Sequence, residues 1–101
     1  MTKNLQSELV VDLRGRSINT LDEFWDAVIV PCGLPKWFGR NTDAWADAIQ
    51  TRGISEVIDS YDALVVHVDN QGIFAARHRE ARALRRAFAG RQSRLVVHDP
   101  A

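Results

Sequence analysis

Three short runs rich in β-branched residues, at 9–13, 63–68 and 95–98, alternate with stretches of helical pattern, and this order constrains the fold more than any other feature. Strand, two or three helices, strand, helix, strand calls for right-handed crossovers. Crossovers of that kind give an α/β fold, with a small three-stranded parallel sheet covered by three or four helices. The 101 residues suffice for one hydrophobic core and not for two, so a single domain over 1–101 is expected. At 46% hydrophobic and 26% charged, the composition is that of a globular chain and not of a disordered one.

Local signals fill in the elements between the strands. Thr20 reads as an N-cap, Glu23 completes a capping box, and Leu21, Phe24, Trp25 and Val28 form an apolar stripe, so a first helix is expected over 21–30. Pro31 ends it. The connector that follows, residues 32–40, holds Gly33, Pro35 and Gly39 and carries Trp37 and Phe38. Asn41 or Thr42 caps a second helix to about Thr51, with Trp45, Ala48 and Ile49 facing inward and Gly53 beyond its end. Ser55 suits the start of one short helical turn over 54–58. Residues 63–68 read as the central strand. The stretch 73–89, rich in Ala, Leu and Arg, is expected to form one uninterrupted helix with Gly90 as its C-cap. Pro100 stops the third strand.

The lone Cys32 has no partner for an internal disulfide, and the first residues lack the blocks of a signal peptide, so a cytoplasmic setting is expected. No apolar run is long enough for a membrane span. The formal charge of zero conceals a dipole: residues 1–70 hold 6 basic and 11 acidic groups, residues 71–101 hold 7 and 2. Either end could steer a partner of opposite sign, so charge alone does not choose one.

The second helix carries the most specific signal. Asp43 and Asp47 lie four residues apart, which places both carboxylates on one face, away from the Trp45 and Ile49 stripe. Like charges at that spacing destabilise a helix slightly, and a cationic partner would relieve them. Spacing alone is served equally by a solvated face with two incidental acids. Two adjacent aromatics in the preceding turn have two readings as well, core anchors or a binding hot spot ringed by charge. One of Trp37 and Phe38 is expected to pack inward and the other to project, and the sequence leaves open which.

The run Leu34-Pro35-Lys36-Trp37-Phe38-Gly39-Arg40-Asn41-Thr42-Asp43-Ala44-Trp45-Ala46-Asp47 resembles, without a gap, the signature of the barstar family: Leu-Pro, two aromatics, Gly, Asn, then two acids four apart. The resemblance implies a barstar-like fold and a protein that is not an enzyme. It implies an inhibitor that blocks the active site of a small, secreted, guanyl-specific ribonuclease before export and so protects the host's RNA. By the same resemblance Asp47 enters the nuclease's phosphate pocket as a phosphate mimic, Asp43 meets a neighbouring basic group, and Trp37 takes the place of the family's loop tyrosine. Phe38, Leu34, Gly39, Asn41 and Ala44 complete the expected interface. A monomer in a 1:1 complex, without metal or other cofactor, is implied.

The chain departs from the family's prototype in several places. Tryptophan stands at 45 and alanine at 46, where the prototype has leucine and tryptophan. Arg86 falls where the prototype offers its partner a glutamate, and Lys36 and Arg40 replace acids. The interface is therefore less acidic, which suits a different nuclease or one bearing some surface acids. A competing reading is nucleic-acid binding through Arg77, Arg79, Arg82, Arg85 and Arg86. For catalysis, Cys32, His67, His78 and His98 fall in no metal-ligand or nucleophile motif.

Overall fold

In the computed structural model, which describes residues 7–75, 79–90 and 92–99, the three apolar runs form one parallel sheet. Its order is β1 (Glu8–Asp12), β2 (Ala63–Asp69), β3 (Ser93–His98). Val10 pairs with Val65 and Val65 with Arg94, which fixes the register across the sheet. The central strand is the most apolar, as a strand flanked on both sides must be: Leu64, Val66 and Val68 are buried toward the helices and Val65 on the opposite face. His67 lies on that opposite face, its Nδ1 2.8 Å from Nε2 of His98 on β3.

The expected first helix is α1 (Leu21–Ile29), and Thr20 caps it by accepting from the Glu23 N–H at 3.1 Å. The Glu23 carboxylate reaches back one residue further than in the usual box and accepts from Asn19 N–H at 2.9 Å. The second helix, α2 (Thr42–Ala46), opens under Asn41, whose Oδ1 accepts from Ala44 N–H at 2.7 Å. Its continuation to Thr51 is a π turn (Asp47–Thr51), closed by a bond of 2.7 Å from Arg52 N–H to Asp47 C=O. Arg52 holds the turn open. It sits at φ +69°, and its guanidinium donates to the C=O of Ile58 in the next helix, α3 (Glu56–Asp59), and to those of Tyr61 and Asp62 beyond it. Ser55 caps α3 as expected, its Oγ accepting from Ile58 N–H.

The long helix expected over 73–89 is interrupted. Residues Gly72–Phe74 form a 3₁₀ turn, Ala75 is extended, and α4 spans Arg79–Ala87. Ile73 and Phe74 both enter the core, and the backbone before them is held by the strand-to-helix connector near Ile18. Ile73 N–H is tied to Ile18 C=O at 3.0 Å, and Gly72, at φ +58°, approaches so closely that a Cβ there would lie 1.9 Å from Ile18 O. Gly90 is not the C-cap expected either: α4 ends three residues earlier in 3₁₀-type bonds from Phe88 to Arg85 and from Ala89 to Arg86. Arg77, His78 and Pro100 lie outside the described residues, as does the side chain of Arg79.

One aromatic cluster joins the helical layer. Phe24 and Trp25 of α1 meet each other and Trp45 of α2, Phe24 meets Phe74, Trp45 meets Phe88 after α4, and Trp25 meets Phe38, at centroid distances of 5.2–6.0 Å. All six rings are buried. This cluster fixes α2 and the connector before it relative to the sheet.

Candidate functional site

The connector 32–40 is the first part of the site, and its shape follows from three fastenings. Leu34 N–H bonds Ile29 C=O at 2.9 Å, and Phe38 N–H closes a turn on Pro35 C=O at 3.0 Å. The Phe38 ring is buried edge-on against Trp25, 5.6 Å between centroids. Trp37, next in the chain, then has nowhere to go but outward, and it is 71% exposed, a large area for so apolar a ring. The question left open by the sequence is thus answered: Trp37 projects and Phe38 anchors.

Arg40 makes the third fastening, and sequence reasoning missed it. At φ +49°, Arg40 turns its guanidinium onto α1, donating to Asp22 Oδ1 at 2.6 Å and to Asp26 Oδ1 at 3.0 Å, with a further bond to Asp22 C=O. These bonds, to Asp22 first and Asp26 second, raise the pKa of an already permanent cation. Arg40 therefore adds little positive charge to the neighbouring face, because two carboxylates surround it. The only signal in the sequence was the spacing of Asp22 and Asp26, a like-charged pair on one turn of α1 that a cation relieves.

Asp43 and Asp47 both lie exposed on the outer face of α2, while Trp45, Ala48 and Ile49 are fully buried beneath them. Asp43 is in the first turn, where the positive end of the helix favours an anion. Asp47 stands where the α turn gives way to the π turn, and its N–H still bonds inside α2. Neither carboxylate has an ion-pair partner among the described residues. Gly39 lies between the aromatic turn and the helix cap. Its C=O accepts from Asn41 Nδ2 at 3.0 Å, and a Cβ there would press within 3.2 Å of that nitrogen and 3.4 Å of Ala44 Cβ.

Of the eight residues picked from the sequence, Trp37, Gly39, Asn41, Asp43 and Asp47 are exposed and Ala44 is half-buried, all on consecutive turns of chain. Leu34 and Phe38 are buried, at 7% and 6% exposure, so they shape the surface from below. A groove of about 330 Å³ runs beside the acids, between Thr42, Asp43, Ala46 and Gln50 on one wall and Ala83, Arg86 and Ala87 of α4 on the other. Gln50 spans it by donating to Ala87 C=O. Arg82, Arg85 and Arg86 are exposed along α4.

The residues of other chemistry lie elsewhere. Cys32 is completely buried, and burial pushes its thiol up to about 12, far from the thiolate a nucleophile needs. His67 and His98 satisfy each other across the sheet. Among the described residues no group of three or more His, Cys, Asp or Glu side chains is arranged to hold a metal ion, and no helix is long and apolar enough to cross a membrane.

The small parallel α/β fold thus presents an exposed acidic helix face beside a projecting tryptophan. The family model described as Barstar (barnase inhibitor) matches residues 8–95. The chain belongs to the barstar family, whose members are inhibitors and not enzymes. No curated protein sequence matches it.

Proposed function

We propose that the chain inhibits a small guanyl-specific extracellular ribonuclease by inserting Asp47 into its phosphate-binding pocket. One observation carries this reading: Asp43 and Asp47 share an exposed face of a helix whose other face is locked by Trp45, and Trp37 projects from a fastened turn beside them. A ribonuclease must keep a cationic pocket for phosphate, and a carboxylate on an immobile helix enters such a pocket with little ordering cost. Asp43 pairs with a neighbouring cation, Trp37 covers the pocket's rim, and Gly39, Asn41 and Ala44 give the close surface. Leu34 and Phe38 act from beneath by holding the turn. The protein works in the cytoplasm as a monomer in a 1:1 complex, before the nuclease is exported, and needs no cofactor.

The test is a titration of the purified protein into small guanyl-specific microbial ribonucleases, with complex mass measured by light scattering. Activity falling to zero at one equivalent, in a 1:1 complex whose association slows with added salt, supports the reading. Ribonucleases of that class left fully active at excess inhibitor would refute it.

A further inference from the structure

Of the basic residues near the C-terminus, Arg85 and Arg94 line a groove along β3, one of the two edge strands of the sheet. Gln92 C=O accepts from Leu64 N–H, and His98 C=O accepts from Asn70 N–H. In an extended strand the backbone groups alternate sides, so residues 92, 94, 96 and 98 turn theirs toward β2. Ser93, Leu95 and Val97 turn their N–H and C=O groups away from the sheet, at an edge that no other strand of the described residues covers. A groove of about 590 Å³ follows this edge, walled by Arg85, Phe88 and Gly90. Ser93, only 2% exposed, is among the residues lining the groove, and its buried hydroxyl has no hydrogen-bond partner among the described residues. A buried hydroxyl without a partner costs free energy that a ligand there would return.

We propose that the edge of β3 is a second binding site, which takes up an extended acidic segment of a partner protein as an added strand. The outward amides of Leu95 and Val97 require a ligand that both donates and accepts, and a polypeptide backbone does both at the strand's own spacing. Nucleic-acid phosphates accept but do not donate, and they would leave the outward C=O groups unmatched. The charge selects acidic side chains. Arg85, which spends one N–H on Phe74 C=O at 3.1 Å, and Arg94, whose guanidinium meets Glu8 of β1 at 3.0 Å, both line the groove. The site is separate from the acidic face, because Arg86 and Ala87 of α4 front the groove beside Asp43, whereas Arg85 and Phe88 front this one.

The experiment measures binding of a short fluorescein-labelled peptide of alternating valine and glutamate to the full chain by anisotropy, with amide shifts of Leu95 and Val97 followed by NMR. Val97→Pro removes an outward N–H and leaves the ladder to β2 intact, since proline is tolerated where the N–H faces outward. The expected results are shifts confined to the β3 edge and affinity falling about tenfold in Val97→Pro and in Arg85→Glu, as for the loss of one net interaction of this kind. A copy of the peptide N-methylated at alternate amides binds more weakly to the unaltered chain, which decides the matter even where a variant fails to fold. Equal binding of the methylated peptide, equal binding of a lysine counterpart, or displacement by oligouridine would overturn the proposal.

Discussion

Replacing Asp47 by alanine should move folding and binding in opposite directions. Asp47 is exposed, and its carboxylate makes no hydrogen bond or ion pair among the described residues, so truncation leaves nothing buried and unpaired. Alanine exceeds aspartate in helix propensity by about 0.6 kcal/mol. Removing the like charge one turn from Asp43 returns a further ~0.3 kcal/mol. Asp47→Ala is therefore expected to stabilise the fold by about 1 kcal/mol, roughly 5 °C in Tm for a domain of this size. Asp43→Ala, at the favourable end of the same helix, should change stability by less than about 0.5 kcal/mol. Against the nuclease, Asp47→Ala should lose more than about 2 kcal/mol, some 30-fold, a hot-spot scale that this family's prototype itself helped to define. Urea unfolding and inhibition titrations on the same preparations give both quantities. A variant less stable than the parent would show that Asp47 holds the fold together, and inhibition within about threefold of the parent would remove the phosphate mimic.

The neighbouring residues divide in the same manner. Trp37→Ala should weaken inhibition while urea unfolding stays within about 0.5 kcal/mol of the parent, whereas Phe38→Ala should cost about 3 kcal/mol of stability through the cavity left against Trp25. Asn41→Ala removes both the cap on Ala44 N–H and the tie to Gly39 C=O and should destabilise by about 1–2 kcal/mol, and Asn41→Asp, which keeps the cap alone, should fall between on the same urea curves. Cys32, with its thiol pushed up to about 12, should resist a thiol-exchange reagent at pH 8 in the folded protein and react fully in guanidinium. Prompt reaction of the native thiol would contradict its burial.

What was legible in the sequence was whatever a local rule determines. The strands announced themselves because β-branched runs have few other places to go, and Thr20, Asn41 and Ser55 all cap the helices assigned to them. Asp43 and Asp47 could be placed on one exposed face because the period of a helix is fixed. The failures all involve distant partners. The break before α4 depends on Ile18, whose C=O holds Ile73, and the π turn depends on carbonyls that Arg52 reaches beyond α3. The direction of Trp37 was decided by Trp25, a helix away, which claims the Phe38 ring. Arg40 was read as a charge lost to the interface because its two acids lie on another element.

The three fastenings of the connector have a consequence for how an encounter proceeds in time. With Leu34 tied to Ile29, Phe38 seated on Trp25, and Arg40 clamped by Asp22 and Asp26, the proposed inhibitory surface is fastened before any partner arrives. On the proposed reading no slow rearrangement would separate collision from docking, so the rate of capture is expected to be governed by long-range charge and to fall with salt. Differences among variants of Trp37 and Asp47 then appear chiefly as differences in how long the complex lasts.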